Sequence, residues 1–344
     1  MNVFLLQDAS IIGGVENTTK NIVSMMNEGE KKNKIYSIFN KNKEQSNNEI
    51  IYLFKTKRFH YIKYILTFFY LKKAGATTIV TSYFIFNILN ILFSFIFKHK
   101  AIVQEHSSFH YDSKLKLKIK IKIYKYSHSF MVINEYDRIK YASLSLNPVR
   151  IKNSIGEKNI LDSIRTTSWD YEFNNYFLIA SRIDHNKRIE LAIEAYLLYK
   201  KNKGIKKLII CGDGCGFKNL INKYSHYSDI IFLGMIQNIY PFISHAACLL
   251  ITSKLECFPT SILEAKFLGV PTIAFSVPSG IPELIIDKVD GFLVLDNDIT
   301  DFANRMLELD DNFIYNKLSQ NAKNTYEKNY SDKIVRDLYS RYIS

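Results

Sequence analysis

The sequence predicts an α/β protein of two doubly wound, Rossmann-like domains facing each other across a cleft. Three observations carry that expectation. Short apolar runs recur along the 344 residues, each followed by a helical stretch, the alternation that builds parallel sheets covered by helices. At roughly 100–200 residues per domain, the length allows about two domains. The two halves also differ in kind. Residues 1–150 hold 23 Lys/Arg against 10 Asp/Glu, residues 151–344 hold 23 against 23, and all six prolines lie at or after Pro148. The 47% hydrophobic and 23% charged content excludes wholesale disorder.

Val3–Leu6 reads as a first buried strand. The chain start carries no basic region and an apolar run too short for a secretory leader. Gly13 and Gly14 form a turn, and a helix runs from Val15 to about Met26. Further strands are expected at Ile35–Ile38, Ile50–Leu53, Thr78–Thr81, Ala101–Gln104 and Phe130–Ile133. The longest apolar stretch is Ile79–Phe97, close to the roughly 20 residues that a membrane span needs. Asn87 and Asn90 near its centre would be costly in hydrocarbon, so a strand followed by a helix is expected. Between Ser113 and Lys125 lysines alternate with apolar residues, and a period of two argues for a strand with one polar face. Gly156–Asp170 shows no strong periodicity and reads as a linker. Beyond it, strands are expected at Phe177–Ala180, Leu208–Cys211, Ile230–Leu233, Cys248–Ile251, Thr272–Phe275 and Phe292–Val294, with helices such as Ile189–Lys200 and Ser261–Leu268. The four cysteines include no pair of CxxC units, so neither a disulfide framework nor a zinc site is expected, and a reducing compartment is the default.

The stretch from Ser253 to Pro271 is the most specific. It follows the strand Cys248–Ile251 and holds Glu256 in a loop, then Pro259, Thr260 and Ser261 at a helix start, then Glu264 inside the helix. Hydroxyls at a helix start accept its orphan N–H groups, and that end of the helix favours an anion such as a diphosphate. Glu264 repels an anion, so its natural partner is a sugar or ribose hydroxyl. Taken alone, two glutamates eight positions apart also fit a solvated loop and helix.

This stretch resembles the E-x7-E signature of GT-B glycosyltransferases of the GT4 family (glycosyl transferases group 1). The resemblance extends, in order, to Gly13-Gly14-Val15-Glu16, to Ser181-Arg182 with Lys187, to Cys211-Gly212-Asp213-Gly214, to Phe232-Leu233-Gly234, and to Pro282-Glu283 with Asp290-Gly291. It implies a first domain over residues 1–160 for the acceptor, a second over 161–313 for the nucleotide sugar, and helices over 314–344 crossing back toward the first. It implies a retaining, metal-independent hexosyltransferase with no cofactor beyond its nucleotide-sugar donor, expected to be a UDP-sugar. Arg182 and Lys187 would neutralise the departing diphosphate, Glu264 would bind the ribose, and Glu256 would orient the transferred sugar. Gly14, Gly212, Met235, Thr260 and Ser261 would complete the donor site, and His106 would face the reacting centre. Glu135 is a candidate for acceptor binding. The sequence departs from the family at Arg188, where glycine is usual, and at Ser181. Arg188 reads either as a third cation or as a solvent-facing side chain.

The resemblance also argues that Ser113–Lys125 is a helix. Lys114, Lys118, Lys122 and Lys125 would then stack beside a stripe of Leu115, Ile119 and Ile123, a basic amphipathic surface for anionic lipid or a pyrophosphate head group. The aromatic stretch Phe59–Tyr70 would extend it. A polyprenyl-pyrophosphate-linked glycan as acceptor would explain why only the first half is basic. This points to surface-polysaccharide synthesis, such as O-antigen or capsule, by a cytoplasmic enzyme peripheral on the inner face of the cell membrane. The alternatives are a GT-B transferase with a soluble acceptor, and a non-catalytic module binding membrane or nucleic acid. The neutral second half argues against nucleic acid as a partner.

Overall fold

A computed structural model describes residues 1–11, 13–28, 33–40, 48–55 and 58–343. They form two units, Met1–Gly156 joined by Asp332–Ser344, and Glu157–Ser331.

In the first unit the strands β1 (Asn2–Asp8), β2 (Asn33–Phe39), β3 (Ile50–Tyr52), β4 (Thr78–Thr81), β5 (Lys100–Glu105), β6 (Ser129–Val132) and β7 (Pro148–Arg150) form one sheet in the order β3-β2-β1-β4-β5-β6-β7. Every pairing is parallel. The helices are α1 (Gly14–Met26), α2 (His60–Lys73), α3 (Phe84–Phe97), α4 (Lys114–Ile123) and α5 (Glu135–Ala142). The apolar stretch from Ile79 divides into β4 and α3, and its two asparagines explain why. Asn90 Nδ2 donates to the Ile79 carbonyl (2.8 Å) and Asn87 Nδ2 to the Gln104 carbonyl (3.1 Å), so both amides fix the helix to the sheet. Among the described residues, no helix is long and apolar enough to cross a membrane.

The second unit has α6 (Glu157–Arg165), then β8 (Tyr176–Ala180), α7 (Ile189–Lys201), β9 (Leu208–Cys211), α8 (Phe217–Tyr224), β10 (Ile230–Gly234), α9 (Tyr240–Ser244), β11 (Ala246–Ile251), α10 (Thr260–Phe267), β12 (Thr272–Ser276), α11 (Ile281–Leu284), β13 (Gly291–Leu295), α12 (Ile299–Glu308) and α13 (Asn312–Asn329). Its parallel sheet runs β10-β9-β8-β11-β12-β13. The order reverses between β8 and β11, and open α/β sheets bind ligands at the carboxyl ends of strands at such a switch point.

Three expectations about the division of the chain are corrected. The supposed linker holds α6, whose Ile160 is fully buried; Ile160 and Ile164 are one helical turn apart, a signal too short to stand out. The unit boundary falls after Gly156 rather than after residue 160. The segment 314–344 is not one crossing element. α13 stays with the second unit, its Tyr326 ring 5.2 Å from Phe267 of α10, and only α14 (Asp332–Ile343) belongs to the first unit. There Val335, Tyr339 and Ile343 are fully buried.

The lysine-rich segment is the helix α4, and the strand reading fails. Its inward face carries Leu117, Lys120 and Ile123, while Leu115 is 68% exposed, so the stripe expected from Leu115, Ile119 and Ile123 does not form. Lys114, Lys118, Lys122 and Lys125 are exposed. Lys120 is buried between Glu105 (3.0 Å) and Asp112 (2.5 Å).

Candidate active site

At the switch point the loop after β8 and the loop after β11 are fastened together. Asn186 Nδ2 donates to the Leu255 carbonyl (2.8 Å), and Lys254 N donates to the Asn186 carbonyl (2.7 Å). Thr252 Oγ1 donates to the carbonyls of Lys187 (2.9 Å) and Arg188 (3.0 Å). Arg188 is neither a third free cation nor a solvent-facing side chain. Its guanidinium donates to the carbonyls of Thr252 (2.8 Å) and Ser253 (3.1 Å), and it pairs with Asp296 (2.5 Å) beyond β13. Its backbone sits at φ 47°, the left-handed region that glycine adopts without strain. That is the physical reason a glycine fits the position elsewhere, and here the side-chain bonds hold the conformation.

A pocket of about 260 Å³ opens beside these loops, lined by Ser181, Arg182, Gly212, Met235, Ser261 and Glu264, with Ile236, Ile239 and Ile243 as its apolar part. A smaller recess shares Ser181 and Ser261 and adds Lys187 and Glu256. Sequence-predicted residues from four separate segments therefore meet around Ser181 and Ser261. Gly212 is sterically required, because it has φ 147° and a Cβ there would lie 1.8 Å from the Ser181 carbonyl oxygen.

The electrostatics are uneven. Arg182 stands at the rim, 81% exposed and 3.3 Å from Asp184. Lys187 Nζ lies 2.5 Å from Glu256 Oε1, both side chains mostly buried. Glu264 is in the second turn of α10, and burial pushes its carboxyl up to about 7, against a hydrogen bond with Thr260 that lowers it. The expected hydroxyl cap is not formed. Pro259 is the N-cap of α10 and makes no side-chain cap hydrogen bond, and the Thr260 hydroxyl serves Glu264 instead.

Gly14, His106 and Glu135 belong to the first unit. His106 follows β5, its Nε2 3.3 Å from Gln104 Oε1. Burial pulls its imidazole down to about 4, which keeps it neutral at pH 7 and able to accept a hydrogen bond. Gln104 Nε2 also donates to the Tyr339 hydroxyl of α14 (3.1 Å). Gly14 opens α1, with nothing within 4 Å of where a Cβ would stand. Glu135 is held by two hydrogen bonds from Arg138 (2.6 and 2.8 Å), and these lower its carboxyl first among the causes.

Sequence reasoning missed two supporting features. Asn238, just past the pocket residue Met235, bonds Ser163 of α6 (2.7 Å) and Thr167 (2.9 Å) and pins that loop. Lys266 of α10 and Asp290 form a fully buried ion pair at 2.5 Å. A lysine on a helix two residues after Glu264 was the only available signal, and its partner is remote in sequence.

Residues 164–325 match the family described as glycosyl transferases group 1. Over 236 residues the chain is 28% identical to the "GalNAc-alpha-(1->4)-GalNAc-alpha-(1->3)-diNAcBac-PP-undecaprenol alpha-1,4-N-acetyl-D-galactosaminyltransferase" of Campylobacter jejuni, covering 66% of this chain and 63% of that protein. It is 30% identical over 142 residues to the "UDP-Gal:alpha-D-GlcNAc-diphosphoundecaprenol alpha-1,3-galactosyltransferase" of Escherichia coli, covering 38% and 36%. The chain thus aligns with less than two thirds of the length of these curated relatives. Anabaena Alr3699/HepE, solved in complex with UDP, superposes with a TM-score of 0.80 at 14% identity over 99% of both chains. The lipopolysaccharide outer core galactosyltransferase WaaB gives 0.73 at 19% identity over 100% of this chain and 99% of that one. At these identities the likeness establishes the fold, the pair of Rossmann-like domains called GT-B.

Proposed function

We propose that this chain, a GT-B glycosyltransferase carrying a group 1 domain, moves a sugar with retention from a UDP-sugar to a glycan carried on a polyprenyl diphosphate. The observation that supports it best is the convergence of Arg182, Gly212, Ser261 and Glu264 on one pocket, with Lys187 and Glu256 beside it. The activities named for the Campylobacter and Escherichia relatives favour an undecaprenyl-diphosphate acceptor, and the UDP complex of the Anabaena protein favours uridine. This reading puts the enzyme in surface-glycan synthesis, acting at the inner face of the cell membrane.

In the donor complex the ribose hydroxyls donate to Glu264, and the diphosphate takes the place of Glu256 as the partner of Lys187. Glu256, released, accepts hydrogen bonds from the transferred sugar. As the bond from C1 to the diphosphate oxygen breaks, negative charge builds on that oxygen, and Lys187 and Arg182 stabilise it. The acceptor oxygen attacks C1 from the same face, and its proton passes to the departing phosphate oxygen. The products are UDP and the lengthened glycan. The counter-charge comes from side chains, so the proposed route is independent of metal. His106, neutral at pH 7, serves as an acceptor of hydrogen bonds from substrate hydroxyls.

A thermal-shift panel of UDP-, GDP- and ADP-sugars tests the donor. UDP-sugars are expected to raise the melting temperature, since a ligand that binds only the folded state stabilises it. A shift with GDP- or ADP-sugars alone overturns the uridine assignment.

Glu264 gives a further test. Ribose hydroxyls bind the ionised carboxylate better than the neutral acid, and the free pocket holds the carboxyl near 7. Donor binding therefore releases a proton, so UDP-sugar affinity should rise as pH rises through 7. Glu264→Gln should flatten that profile and weaken binding about ten-fold or more, the scale of a hydrogen bond to a charged group. Calorimetric titration at pH 6 and pH 8 reads both; an unaltered profile removes Glu264 from the ribose site.

A further inference from the structure

We infer that α2 and α3 form a ridge that inserts into the interfacial layer of a lipid bilayer, so that apolar contact rather than lysine charge alone holds the first unit there. The inference deepens the membrane part of the reading above, and its test reads lipid binding separately from donor binding.

The geometry of α2 motivates it. Tyr64, Thr67, Phe68 and Leu71 are its buried residues. On the other side Tyr61, Ile62, Ile65, Leu66, Phe69 and Tyr70 are all between 42% and 66% exposed. At 100° per residue, the exposed set sweeps about 180° and is centred opposite the buried set. α3 repeats the arrangement. Phe86, Asn87, Asn90 and Ile91 point inward, Ile85, Leu92, Phe95 and Ile96 are 46–67% exposed, and no residue from Phe84 to Phe97 is charged. A helix apolar all round belongs in a core or in lipid, yet half of α3 lies open, and α2 adds an open face of six aromatic and aliphatic side chains.

The two open faces are neighbours. Phe69 packs edge-on against Phe93 (5.7 Å) and Phe97 (5.2 Å), and Lys72 Nζ donates to the Phe97 carbonyl (3.1 Å), so the carboxyl ends of the helices lie side by side. A patch of this extent marks an interaction surface, and the charge around it selects the partner. Residues 50–104 contain eight Lys/Arg and no Asp/Glu. Lys72, Lys73 and Lys98 are exposed at the shared carboxyl end. On the flank, Tyr126 packs on Phe95 (5.9 Å) and Lys116 lies over Phe84 (5.8 Å), which puts the exposed lysines of α4 alongside the ridge. Phe, Tyr, Ile and Leu with lysines at the edge and no acid suit phosphate head groups above acyl chains. At 14 residues each the helices are about 21 Å long, shorter than the roughly 30 Å core, so they lie in the interface without crossing it.

Flotation of the full chain with vesicles of phosphatidylcholine, alone or with phosphatidylglycerol, at 0.1 M and 1 M salt tests this. Wild type is expected to float with both compositions, more with the anionic one, and to keep most of its binding at 1 M salt. The variant Ile62→Ser, Leu66→Ser, Leu92→Ser, Ile96→Ser should lose at least ten-fold in partitioning while its thermal shift with UDP-sugar is unchanged. In a separate variant, Ile96→Trp, indole emission should shift to the blue on adding vesicles. The inference is overturned if wild type fails to float, if binding is confined to anionic vesicles at low salt and survives the four serines, or if Ile96→Trp shows no shift. It is equally overturned if wild type is a dimer that the four serines convert to monomer, since a second copy would then cover the ridge.

Discussion

Replacing Lys187 by alanine should lower turnover by about 10²–10³-fold, the scale of losing one preorganised group that stabilises developing charge, and should lower the melting temperature by less than the loss of a fully buried cation. The ammonium group is placed before any donor arrives. Its backbone N–H donates to the Asp184 carbonyl (3.1 Å), its carbonyl accepts from Thr252 Oγ1 (2.9 Å), and its Nζ is held by Glu256 at 2.5 Å. In the proposed reaction the diphosphate gains charge only as its bond to the sugar breaks, so the interaction strengthens toward the transition state and its loss falls on turnover more than on affinity. The stability cost is smaller than for a fully buried pair because both side chains keep some contact with water, 19% and 15% exposed, but Glu256 loses its cation, so a loss of about 1–3 kcal/mol is expected. Lys187→Arg keeps the charge and should recover part of the rate. Steady-state release of UDP measures it, and wild-type turnover in Lys187→Ala would refute the assignment.

Lys120→Met is expected to act in the opposite sense, on stability first. Lys120 is 1% exposed, 3.0 Å from Glu105 and 2.5 Å from Asp112, and it donates to the Tyr141 hydroxyl at 2.9 Å. Removing it leaves two buried carboxyl groups without their cation. Breaking a buried pair from one side costs about 3–5 kcal/mol, which lowers the unfolding midpoint of a unit this size by about 10 °C. Lys118→Met, on the exposed face of the same helix, should stay within about 0.5 kcal/mol of wild type. Scanning calorimetry of both variants decides the matter, and equal midpoints would show that Lys120 carries no such load.

The contrast between these lysines marks where the sequence stopped being legible. The strands were readable because β-branched runs bounded by polar or glycine-rich turns leave a local trace, and outside the lysine-rich segment each expected strand overlaps an observed one. In α4 the local trace misled. Alternation of Lys with Leu or Ile mimics a strand, and the acids that bury Lys120 lie 8 and 15 positions away. The site divides in the same way. The order of Ser181, Arg182, Gly212, Ser261 and Glu264 was visible through the resemblance, and all five line the same pocket. Pairings such as Lys187 with Glu256 or Asn238 with Ser163 span about 70 positions, and single residue types carry no mark of such partners. The end of the second unit was misplaced for a related reason, since the faces of α13 and α14 are alike in composition and only their packing assigns them to different units.

That assignment bears on how the protein is made. The 175 residues of Glu157–Ser331 intervene between the bulk of the first unit and α14. At about 5–20 residues per second, a ribosome takes roughly 10–35 s to translate them. For that interval the nascent first unit lacks Val335, Tyr339 and Ile343 from its interior, and the Gln104 amide lacks the Tyr339 hydroxyl. The half translated first is completed last, and its maturation waits on synthesis of the other.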